Sequence, residues 1–83
     1  MTQHAVLIVD DDVNVLRALE RTLRKEPYTV LTAASGADGL TMLSARDVSL
    51  VISDYQMPKM DGLSFLKMVK ENYPHILTIM LTG

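Results

Sequence analysis

Short apolar runs alternate along the chain with longer amphipathic stretches, and that alternation sets the order of the elements. Residues 5–9 form a β-branched apolar run that ends on three consecutive carboxylates, Asp10, Asp11 and Asp12, which predicts a first strand. From residue 13 to residue 25 the period changes. Val15, Leu16, Leu19 and Leu23 fall on one helical face and Arg17, Glu20, Arg21 and Arg24 on the other, so a helix follows directly. Asp12 is placed to cap it, Glu20 and Arg24 form an i,i+4 pair, and Pro27 stops it. Residues 28–33 alternate as a second strand. Ser35 and Asp38 then stand three apart, as in a capping box, and Ala37, Leu40 and Leu43 supply an apolar face for a short second helix. Gly39 inside it costs about 1 kcal/mol against Ala, so this helix either frays or is held by packing. Residues 48–53 predict a third strand that ends on Asp54. Pro58 forbids helix at Met57, Asp61 and Gly62 give a helix-start signal, and the third helix runs to about Asn72. Its buried stripe is Leu66, Val69 and Tyr73, with Lys67 and Lys70 outward. Pro74 closes it before a last strand over residues 76–81.

An order of β-α-β-α-β-α-β without repeat or linker predicts one α/β domain built on a parallel, doubly wound sheet. In such sheets the chemistry lies just beyond the carboxyl ends of the strands. Asp10, Asp11, Asp12, Asp54 and Thr82 all fall there. A lone strand-end Asp is ordinarily a turn or cap residue, so Asp54 becomes a site candidate only through these neighbours.

Composition narrows the partners. The 83 residues hold one small core, and 48% hydrophobic with 22% charged residues is ordinary for a folded soluble domain. The absence of cysteine excludes disulfides and thiolate zinc sites. Nothing resembles a signal peptide or an apolar run long enough for a bilayer, so a cytoplasmic address without membrane contact is expected. A net charge of −2 offers no basic footprint for a phosphate backbone, and no nucleic acid is expected to bind this segment. His4 and His75 are solitary and read as surface residues.

Two or three carboxylates converging on one point repel, and burial would raise their pKa values unless a cation neutralises them. An all-oxygen set without His or Cys suits Mg²⁺ or Mn²⁺, and Mg²⁺ commonly pairs a few carboxylates with waters and a phosphoryl group. The set therefore points to phosphate chemistry. In it a carboxylate can itself attack phosphorus to form an aspartyl phosphate while a hydroxyl takes up charge on the transferred oxygens. Asp54 and Thr82 suit those two roles.

Four groups of residues at strand ends carry a resemblance. They are Ile8-Val9-Asp10-Asp11, Ile52-Ser53-Asp54, Met57-Pro58 with Met60-Asp61-Gly62, and Leu81-Thr82-Gly83. In that order the chain resembles the receiver domain of two-component response regulators along its whole length. The resemblance implies a flavodoxin-like fold with strand order 2-1-3-4 and a phosphoryl group accepted on Asp54 from a histidine kinase. It further implies Mg²⁺ held by Asp11, Asp54 and the backbone carbonyl of Gln56, with Asp10 acting through a water, and Thr82 as a switch hydroxyl. It makes the chain a signalling domain rather than an enzyme, switching an output domain that these residues do not contain. A full receiver continues with a helix, a fifth strand and a final helix, and places a phosphoryl-contacting lysine after the fifth strand. On that pattern residues 1–83 are a single partial receiver, truncated after the fourth strand, and no lysine here matches the missing one.

With the sheet ending at the fourth strand, Ile76, Leu77, Ile79, Met80 and Leu81 lie on an edge, and edges of that kind recruit partners. Self-association by strand pairing or segment exchange is expected. Two other readings stand beside the main one. A receiver-like interaction or dimerisation module that takes no phosphate keeps the fold without the chemistry. A Mg²⁺-dependent phosphohydrolase of the haloacid dehalogenase type would use Asp10-x-Asp12 and Thr82, but leaves Asp54 and the Met57-Pro58 loop without a role.

Overall fold

The computed structural model describes residues 4–54 and 62–81, and these contain all seven predicted elements. Strand β1 (His4–Val9) leads into helix α1 (Val13–Leu23), β2 (Tyr28–Ala33), α2 (Gly36–Ala45), β3 (Leu50–Asp54), α3 (Gly62–Asn72) and β4 (Leu77–Leu81). All pairings are parallel, and the strand order is β2-β1-β3-β4. The chain winds outward from β1 in both directions, so β1 and β3 meet at the switch point of the sheet.

The local signals act as read. Asp12 is extended at φ −91°, ψ 110°, and its side chain accepts the Asn14 N–H at 2.9 Å. Ser35 Oγ accepts the Asp38 N–H at 3.1 Å. Glu20 and Arg24 pair at 3.5 Å on an exposed face, where such a pair contributes little. Helix α1 ends two residues earlier than the pattern suggested: the Arg24 N–H makes the last i→i−4 bond, to Glu20, and the Glu26 N–H then turns back to the Leu23 carbonyl.

Three expectations need correction. Strand β2 does not alternate between buried and exposed positions. From Thr29 to Thr32 its residues are all half-buried, because α1 packs on one side of the strand and α2 on the other. Ala37 is exposed, and the inward face of α2 is Gly36, Gly39 and Leu43 with Leu40 half-buried. On α3 the stripe includes Phe65, which is fully buried, while Tyr73 is half-buried at its edge. Gly39 is the position held by packing. A Cβ there would stand 3.1 Å from two Phe65 ring atoms and 3.1 Å from Val9 Cγ2, so the α2 backbone sits directly on the ring.

The sheet separates two apolar clusters. On one side Leu7, Val9, Val51, Phe65 and Val69 are fully buried beneath α2 and α3. On the other Val6, Ile8 and Leu16 form a smaller cluster, flanked by half-buried Leu19, Leu23, Val30, Leu50 and Ile52. The register carries that second face onward to Leu77 and Ile79 of β4, which are 71% and 47% exposed. On the opposite face of β4, Leu63, Leu66, Lys67, Lys70, Thr78 and Met80 border an open groove of about 590 Å³.

Candidate functional site

The register decides which strand ends meet. Val9 of β1 pairs with Ser53 of β3, so the residues that follow, Asp10 and Asp54, stand side by side at the ends of the two central strands. Asp54 also pairs with Leu81 at the end of β4. The Asp10 N–H donates to the Ala33 carbonyl at 3.1 Å, which holds the start of the acidic run beside β2.

Carboxylate oxygens of Asp10, Asp11 and Asp54 lie within 4.8 Å of one another. Their environments differ. Asp10 is buried, Asp54 is half-buried and Asp11 is exposed. Burial pushes the Asp10 carboxyl above its ordinary value of 3.8, the Asp12 N–H opposes that shift, and the charges of Asp54, Asp11 and Asp12 reinforce it. The opposing bond is short, with Asp12 N–H donating to Asp10 Oδ1 at 2.8 Å.

The donor set fits a small hard cation. Three carboxylate oxygens within 4.8 Å of one another, with no nitrogen or sulfur donor among them, suit Mg²⁺ or Mn²⁺. Asp12 is not in the converging group. Its side chain caps α1, so the Asp10-x-Asp12 pair that a dehalogenase-type site would use is not assembled. Gln56, the Met57-Pro58 loop, Asp61 and Thr82 lie outside the described residues.

One feature of the site has no counterpart in the residue roles read from the sequence. Ser53 is fully buried, and its hydroxyl donates to the Asp54 carbonyl at 3.1 Å. The signal was present as a small polar residue inside an otherwise apolar strand.

Comparison with known proteins agrees with this geometry. A profile described as the response regulator receiver domain matches residues 6–83. The transcriptional regulatory protein GlrR of Escherichia coli K12 is 43% identical over 78 residues, covering 94% of this chain and 18% of that protein. The signal receiver domain of an HD domain-containing protein from Pseudomonas fluorescens superposes with a TM-score of 0.97 at 35% identity, over 99% of this chain and 66% of that one. The response regulator TrrA of Thermotoga maritima, solved in complex with Mg²⁺ and BeF, matches at a TM-score of 0.91 and 30% identity, over 96% of this chain and 70% of that one. The chain thus spans about a fifth of the curated relative's length (18%) and about two thirds of the solved receiver domain's (66%). Its profile match, its relatives and its strand order place it in one family: the chain belongs to the response regulator receiver domains.

Proposed function

We propose that this chain is the phosphoryl-accepting part of a signalling switch, with Asp54 as the acceptor. The observation that carries the reading is the convergence of Asp10, Asp11 and Asp54 at the β1/β3 switch point of a receiver fold. An Asp54 carboxylate oxygen attacks phosphorus and forms an acyl phosphate. The bond from phosphorus to the donor breaks, and the donor keeps the electron pair. With a phosphohistidine of a kinase as donor, the leaving imidazole takes up a proton. Mg²⁺ or Mn²⁺, when bound, neutralises the three carboxylates and charge on the transferred oxygens. Asp10, Asp11, Asp54 and the Gln56 carbonyl would hold that ion, Asp10 through a water, and Thr82 would supply a hydroxyl to the phosphoryl group. The buried Asp10 carboxylate keeps its place through the Asp12 N–H. A cytoplasmic address belongs to the same reading, and no helix among the described residues is long and apolar enough to cross a membrane. The deciding experiment incubates the chain with acetyl phosphate and Mg²⁺ and follows its mass. A single phosphoryl addition lost in Asp54→Asn and in chelator supports the proposal, and addition that survives Asp54→Asn overturns it.

A second reading, self-association through β4, is supported by the exposure of Leu77 and Ile79 on an edge strand. Sedimentation equilibrium at micromolar concentration is expected to show dimers that Leu77→Lys dissociates. A purely monomeric parent chain would sink this reading.

A further inference from the structure

We propose that Ser53 is a positioning residue for Asp54, its buried hydroxyl fixing the peptide on which the acceptor carboxylate is carried out of β3. The proposal rests on the reading of Asp10, Asp11 and Asp54 as a cation-binding set. Ser53 lies on the closed face of the sheet, paired with Val9 and Met80 and fully buried on the side where Leu7, Val9, Val51 and Phe65 pack. An apolar side chain is the default at such a position. A hydroxyl costs free energy there unless it is hydrogen-bonded.

The bond it makes is local, from Ser53 Oγ to the carbonyl of the next residue at 3.1 Å. Its place explains its use. The β1 register ends at the Val9 and Ser53 pair, whereas β4 continues one residue further, to Leu81 beside Asp54. Asp54 is thus the first residue of β3 after the last β1 pair, beside the strand that delivers Asp10 and Asp11. A side chain anchored in the closed core and bonded to the Asp54 carbonyl helps to orient that peptide just past the last β1 pair. Ser53 thus couples the rigid face of the sheet to one of the carboxylates of the cation-binding set.

The test uses the full chain and measures Mn²⁺ affinity by the electron paramagnetic resonance signal of the free ion, with urea unfolding run on each variant. Asp54→Asn is the control for the site. Ser53→Ala is expected to weaken Mn²⁺ binding by about tenfold, the lower end of the range for removing a group that orients a ligand. Ser53→Thr, which keeps the hydroxyl, is expected to restore affinity to within about twofold of the parent, a contrast set by the donor rather than by side-chain volume. If Ser53→Ala binds Mn²⁺ like the parent while Asp54→Asn does not, the positioning role is overturned and the site stands. A parent chain that binds no Mn²⁺ overturns both. Should the added methyl prevent Ser53→Thr from folding, the Ser53→Ala result still decides, because alanine adds no volume.

Discussion

The two faces of the sheet are built from strands of similar composition, yet they are closed to different degrees. Beneath α2 and α3, five side chains from β1, β3 and α3 have no solvent exposure, and the α2 backbone rests on the Phe65 ring at Gly39. Beneath α1 the cover reaches β1 and β2, and the apolar row then runs out through half-buried Leu50 and Ile52 to Leu77 and Ile79 on β4. The acidic site lies at the end of the two central strands, β1 buried on both sides from Ala5 to Val9 and β3 alternating between buried and half-buried residues. One face is thus fully closed beneath α2 and α3, while the other opens toward β4.

That contrast can be broken by substitution. Phe65→Ala should have the largest effect, about 3–5 kcal/mol from lost burial and cavity, which for a domain of this size takes most of its stability. Urea unfolding that showed a loss below 1 kcal/mol would mean the closed face is not the support described. Gly39→Ala comes next. Helix propensity alone favours alanine by about 1 kcal/mol, but overpacking against a ring and a β-branched side chain costs about 1–3 kcal/mol, so net destabilisation is expected. Stabilisation by this change would show that α2 is free to move off Phe65.

The site itself carries a pH signature. A raised Asp10 pKa means the native state binds this proton more tightly than the unfolded chain does. Stability from Asp10 is therefore present below the ordinary value of 3.8 and lost as pH rises from there through the raised native value. Asp10→Asn should stabilise the metal-free chain at neutral pH, flatten that part of the pH profile, and weaken Mg²⁺ binding. A metal-free parent whose thermal midpoint at neutral pH exceeds that of Asp10→Asn would contradict the assignment. The smallest effect on unfolding is expected at the open face. Leu77→Lys should change stability by no more than about 0.5 kcal/mol once measured on dissociated chains, since the side chain is mostly exposed. A loss approaching that of Phe65→Ala would erase the difference between the faces.

Periodicity and punctuation made the seven elements legible, because apolar runs of five or six residues and helical stripes report burial directly. The caps at Asp12 and Ser35 were legible for the same local reason. What misled was burial that depends on the far side of the sheet. Strand β2 looked alternating but is half-covered by helices on both faces, and Ala37 looked inward although the buried residues of α2 are Gly36, Gly39 and Leu43. Phe65 was within reach of the pattern, since it stands four residues before Val69 on the same helical face.

Local sequence thus determined the type and order of elements, the helix caps and the carboxylates at strand ends, because each depends on neighbours a few residues away. Tertiary structure alone decided how closely Asp10, Asp11 and Asp54 approach one another, that Gly39 meets Phe65, and that Ser53 is fully buried on the closed face. Those outcomes follow from the pairing of Val9 with Ser53 and from packing between elements distant in the chain, which no local pattern encodes.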